Sequence, residues 1–138
     1  DLATASKLRI ALYPHTGHWL EQVEDAVRIA NKVDRPNVGV TFNLCHWLRV
    51  DGKDLRAHLE SALPRLFMVT INGAEVGGTD WNTLIQPLDR GSFNVKDLLL
   101  NLKTLGYTGP IGLQGYGIGG DVHDNLRRSM TAWRALQE

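Results

Sequence analysis

The sequence predicts an α/β chain of four parallel strand–helix units, which together make half of a (β/α)8 barrel. Two observations carry the prediction. Four short apolar runs alternate with four helical patterns, at roughly the 30-residue spacing that a βαβ unit requires. Each run also has one bulky apolar face and one small or polar face, with a polar residue at its C-terminal end.

The runs are Leu8 to Tyr13, Val38 to Asn43, Leu66 to Asn72 and Pro110 to Gln114. Their length, and the Pro, Gly and Asn that bound them, mark buried strands. Between them lie helical patterns. His18 to Val33 carries Trp19, Val23, Ala26, Val27 and Ala30 at helical spacing. Asp54 to Leu63 stops before Pro64, because the residue ahead of a proline is pushed out of the helical region. Val95 to Leu105 sets Leu98, Leu99, Leu102 and Leu105 on one face and ends at Gly106. Val122 to Leu136 is the last helix, with Asp121 as its N-cap. Such alternation implies parallel strands joined by right-handed crossovers.

The strand faces select a barrel. Leu8, Ile10 and Leu12 oppose Arg9, Ala11 and Tyr13; Val38, Val40 and Phe42 oppose Gly39, Thr41 and Asn43. Phe67, Val69 and Ile71 oppose Met68, Thr70 and Asn72; Ile111 and Leu113 oppose Gly112 and Gln114. A doubly wound sheet is apolar on both faces. In a barrel the bulky face packs on the helix ring, and the inner face turns polar towards the C-terminal mouth, where active sites are built. Tyr13, Asn43, Asn72 and Gln114 should therefore converge there. Four units do not close a barrel, so both edge strands should be open. The expected partner is a missing N-terminal half-barrel or a second copy of the chain.

The 138 residues suit one domain, and positive and negative side chains balance at fifteen each. That balance makes no electrostatic case for nucleic acid or an anionic membrane. No apolar run approaches the ~20 residues of a membrane helix. A single cysteine, Cys45, precludes an internal disulfide or a thiolate-rich zinc site. The chain starts at Asp1 with no visible signal peptide, so it is expected to be a processed, excised or partial chain. The chain is expected to be soluble, and its compartment is left open: cytoplasmic, or exported if a signal peptide lies in preceding sequence.

The segment PLDRGSFNVKDLLLNLKTLGYTGPIGLQ, together with RPNVGVTFNLCHWL and LRIALYPH, resembles the sugar phosphate isomerase/epimerase (xylose isomerase-like) family. Those segments are similar to its eighth, sixth and fifth strand units. The resemblance implies the C-terminal half of a TIM (β/α)8 barrel, with residues 1–138 as one incomplete domain holding strands five to eight. It also implies an isomerase or epimerase acting on a carbohydrate. Many members hold a divalent cation at the mouth through Glu, Asp, His and Glu. The matching positions here hold Tyr13, Asn43, Asn72 (or Thr70, two residues earlier) and Gln114, and only His46 of the Asp-x-x-His pattern matches in kind. An amide gives a hard cation a dipole where a carboxylate gives charge. No metal or other cofactor is therefore expected from this half.

The residues themselves leave a smaller set of candidates. His15 and His46 are candidate acid–base groups, since imidazole titrates near neutral pH, and Glu75 is the best remaining carboxylate near the mouth. Tyr13, Asn43, Asn72, Trp81, Gln114 and Tyr116 are candidate sugar contacts, through polar groups and aromatic faces. His15, His18 and His46 together could form a new metal site, although no carboxylate has an obvious place beside them. The alternative to an enzyme is a non-catalytic carbohydrate-binding barrel.

Overall fold

The computed structural model describes residues 1–138. A short helix, α1 (Leu2–Ala5), precedes β1 (Ile10–Leu12). Next come α2 (Val23–Val33), β2 (Val38–Asn43), α3 (Leu44–Val50) and α4 (Leu55–Ala62), which runs into a 3₁₀ turn at Leu63–Arg65. The chain ends with β3 (Leu66–Ile71), α5 (Trp81–Leu84), α6 (Val95–Thr104), β4 (Ile111–Leu113) and α7 (Val122–Leu136). No helix is long and apolar enough to cross a membrane.

All strand pairs are parallel and the order is β1-β2-β3-β4, as a half-barrel requires. One hydrophobic cluster joins the bulky strand faces (Val38, Val40, Phe42, Leu66, Val69, Ile71) to α2, α4 and α6, and Trp133 and Leu136 of α7 pack against it. The helices thus cover one face only. The other face is concave: Gln114, after β4, donates from Nε2 to the Tyr13 hydroxyl, after β1, at 3.3 Å across the ends of the two middle strands. β1 and β4 each pair with a single neighbour, so both edges are open.

Three expectations need correction. First, the helix expected from His18 begins at Val23. Gly17 adopts a left-handed φ of 81°, and its N–H donates to Glu21 while His15 N–H donates to Leu20 O, so residues 14–22 form a closed loop. Trp19, expected on the helix's apolar face, lies outside it and is 84% exposed.

Second, Phe67 does not share the outer face of Val69 and Ile71. The β2–β3 register passes from Val40↔Leu66 to Thr41↔Met68, leaving Phe67 as an extra residue. Its ring turns to the concave face, under the Arg9 guanidinium at 3.6 Å. Gly39 leaves room for it: a Cβ there would sit 2.6 Å from the ring.

Third, Asn72 does not converge with the other strand-end residues. It lies beyond β3, fully buried, and its Nδ2 donates to Gly73 O and Leu84 O, both at 2.7 Å. There the chain turns back through the Gly73↔Gln86 bridge, which draws Asn72 away from the mouth and under α5. Thr70 takes the expected place.

Candidate active site at the barrel mouth

Asn43 organises the mouth. Its Oδ1 accepts from His46 N–H (3.1 Å) and from the Cys45 thiol (3.0 Å), which caps α3. Its Nδ2 donates to the Tyr13 hydroxyl (2.6 Å) and to Thr70 Oγ1 (2.7 Å). One side chain thereby joins β1, β2 and β3 and starts the helix that carries His46. The Tyr13 oxygen receives two donors, from Asn43 and Gln114, so its own proton is free to point outwards. Burial holds the phenol above its usual pKa, and the neighbouring Cys45 adds to this, so Tyr13 stays a donor. Burial likewise pushes the Cys45 thiol up to about 11, which makes it an inert part of the core.

The loop after β1 brings His15 onto His46. Their ring centroids are 4.0 Å apart, and His18 stacks on His15 at 4.2 Å. Thr16 lies between the first two and bonds to both. Its carbonyl faces His15 Nδ1 at 2.9 Å, and a carbonyl only accepts, so His15 carries its proton on Nδ1. Its N–H donates to His46 Nδ1 at 3.3 Å, with its hydroxyl at 3.2 Å from the same atom, so His46 carries its proton on Nε2. His46 is 5% exposed. Burial, reinforced by His15 and His18, lowers its pKa to about 4. At neutral pH it is an uncharged N–H donor.

A cleft of about 410 Å³ opens over these groups, lined by Tyr13, His15, His46, Trp81, Ile85, Gln114 and Tyr116. Trp81 meets His46 edge-on at 5.3 Å. Asp80 positions Trp81 by capping α5: its carboxylate accepts from Thr83 N–H, and Thr83 Oγ1 bonds back to Asp80. Six of the nine candidate residues line this cleft, and Asn43 supports it from behind. Glu75 does not reach it. Its carboxylate accepts from Ser92 N–H (3.2 Å) and Ser92 Oγ (2.6 Å), and it borders a separate groove with Arg90, Arg128 and Gly117 to Asp121. Thr16 and Ile85 complete the site and carry no motif that would single them out in the sequence.

A divalent cation does not fit this donor set. The strand ends offer a phenol, two amides and a threonine hydroxyl, with no carboxylate. The Asn43 oxygen is spent on the α3 cap, and the Gln114 oxygen accepts from Tyr116 N–H at 3.3 Å. No group of three or more His, Cys, Asp or Glu side chains is arranged to hold an ion, so the stacked histidines do not form the metal site the sequence allowed.

No curated protein matches the chain. Among solved structures it is similar to a 3-keto-D-glucoside 4-epimerase from E. coli (19% identity, TM-score 0.79), covering 97% of this chain and 48% of that one. It is similar to a D-psicose 3-epimerase (15% identity, TM-score 0.77, 98% and 50% covered). An AP endonuclease of family 2 from Brucella melitensis is 26% identical, with a TM-score of 0.75 and coverage of 98% and 48%. The chain thus spans about half the length of the structures it matches. Residues 1–136 match the family described as xylose isomerase-like TIM barrel, and the chain belongs to that family.

Proposed function

We propose that this chain forms the substrate-binding half of a sugar isomerase/epimerase-like barrel and takes an uncharged carbohydrate in the 410 Å³ cleft. The cleft's chemistry carries this reading. Neutral hydrogen-bonding groups of Tyr13, His46 and Gln114 line it together with the aromatic side chains of Trp81 and Tyr116. Sugars present hydroxyls that need such partners and C–H faces that pack on aromatic rings. The epimerase neighbours support the same class of ligand. Endonuclease chemistry is the weaker reading, because it calls for clustered carboxylate and imidazole ligands and a basic face, whereas the strand ends are neutral and the charge balances.

Calorimetric titration of the full-length protein with D-fructose, D-psicose and D-tagatose tests the proposal. At least one should bind, and Trp81→Ala and Gln114→Ala should each weaken it about tenfold, the value of one stacking or hydrogen-bond contact. Absence of binding to all three, or affinity indifferent to both substitutions, overturns it. A second reading, a non-catalytic carbohydrate-binding barrel, is favoured by one observation: no carboxylate stands at the strand ends to act as a base. Binding without turnover is its signature.

A further inference from the structure

We propose that His15 and His46 form a metal-independent proton-transfer pair, set in opposite tautomers by Thr16, which enolises a bound hydroxy-ketone or hydroxy-aldehyde sugar from one face. This rests on the carbohydrate reading above and names how that cleft would act.

The geometry behind it is the backbone of one residue, Thr16, bonded on both sides. The Thr16 carbonyl takes the Nδ1 proton of His15, leaving a lone pair on His15 Nε2. The Thr16 N–H fills the Nδ1 lone pair of His46, leaving its proton on Nε2. Two imidazoles with centroids 4.0 Å apart therefore present complementary atoms, one basic and one acidic. That separation suits groups addressing neighbouring atoms of one substrate, a C–H and the oxygen on the next carbon. The low pKa of His46 keeps it a neutral donor, so it hydrogen-bonds a carbonyl without adding a charge beside His15. Both rings line the cleft.

In the forward step, His15 Nε2 takes the proton from the carbon next to the carbonyl. The C–H electron pair forms the C=C bond, the carbonyl π pair moves to oxygen, and His46 Nε2–H hands that oxygen its proton. The product is a neutral enediol, with His15 as imidazolium and His46 as imidazolate. The charges on the adjacent rings are relieved when the enediol hydroxyl on the second carbon returns its proton to His46 Nε2. His15 then delivers its proton to the former carbonyl carbon, and the C=O bond re-forms on the second carbon. Nothing is oxidised overall, and aldose and ketose interconvert. The remaining lining groups of Tyr13, Trp81, Ile85, Gln114 and Tyr116 include no carboxylate and no further imidazole to serve as a second base. Inversion of a carbon, which needs proton delivery to the opposite face, is therefore not supplied by this half.

Two measurements on the full-length protein test the pair. Imidazole ¹⁵N–¹H correlation spectra at pH 7 should show His15 protonated on Nδ1 and His46 on Nε2, assigned by loss of each signal in His15→Gln and His46→Gln; the reversed pattern overturns the proposal without any substrate. With excess EDTA in D2O, a ketose shown to bind should gain deuterium at C1. His15→Gln should slow this at least 100-fold with sugar affinity held within threefold, while His46→Gln, which retains an N–H donor, should keep more rate than His46→Leu. If the sugar binds and no deuterium enters, the pair is refuted and the binding reading stands. If none of the three sugars binds, the carbohydrate reading itself fails and the enolisation proposal falls with it.

Discussion

β2 and β4 have similar apolar signatures in the sequence, yet they lead different lives in the fold. All six residues of β2 are buried, whereas β4 has none that is fully buried and Leu113 is exposed. β2 has a strand on each side and packs against α2 and α4; β4 has one neighbour. The same holds for β1, where Ile10 stays exposed while Val40, in the next strand, is fully buried. Burial here follows the number of neighbours more than side-chain hydrophobicity. The mouth inherits the contrast: its Asn43–His46 wall is buried, while Tyr116, beyond β4, is 77% exposed.

The largest expected effect probes the buried strand directly. Phe42 is fully buried with its ring 5.6 Å from that of Trp47. Phe42→Ala should cost about 3–5 kcal/mol in urea denaturation, the usual loss for an emptied aromatic core site. Ile10→Ala, on the open edge, should cost less than about 1 kcal/mol. Equal losses would show that the edges are covered in solution.

Protonation of His46 sharpens the same contrast at the mouth. The unfolded imidazole titrates near 6.5 and the folded one at about 4, under burial and the facing His15 and His18. The folded state binds fewer protons between those values, so stability is complete above pH about 6.5 and falls as pH drops towards 4. The difference is about 3 kcal/mol. Chemical denaturation from pH 7 to pH 4 should show this slope, and His46→Gln should flatten it. An unchanged slope in the variant would place the titrating group elsewhere.

Asn43→Ala should cost about 2 kcal/mol, since it removes the α3 cap, leaves the Thr70 hydroxyl without its donor and takes one of two donors from Tyr13. Asn43→Asp keeps an acceptor for the cap, and both hydroxyls can reverse to donate, so it should fold. Combined with Gln114→Glu it restores two anionic oxygens, and metal content after dialysis should rise above that of the parent. A parent that retains stoichiometric metal would contradict the donor-set argument.

Legibility in the sequence divided along physical lines. β2 and α7 were read to the residue, because β2's alternation is uninterrupted and Asp121 marks the start of α7. β3 was read correctly from Met68 onwards, with Val69 and Ile71 in the core, but Phe67 was not, since it is the extra residue of a bulge and alternation alone does not reveal one. α3 was missed because Asn43 was read as a mouth residue when its oxygen is the helix cap; the signal was an Asn followed three residues later by the N–H it bonds. The convergence of Tyr13, Asn43 and Gln114 was visible from strand-end positions. The approach of His15 and His18 to His46 was visible too, because their loops follow adjacent strands, whereas the Thr16 bonds that fix the pair were not, because they join residues 30 apart in the chain.

The smallest effect on folding, and the most informative about the open side, concerns α7. Val122, Leu126 and Met130 are exposed and recur every four residues, which puts them on one stripe of the helix. Beside them lies the exposed Leu113 of β4. A surface helix spends apolar residues on a face that something covers. If further strand–helix units or a second copy cover this one, residues 1–138 produced alone should self-associate in sedimentation velocity. Leu126→Ser with Met130→Ser should reduce that association while changing urea stability by less than about 1 kcal/mol, because neither side chain contributes to the buried core. A well-dispersed monomer in both forms would show that the stripe is tolerated bare. The contrast between β2 and β4 would then be a property of the finished surface and not of an uncovered edge.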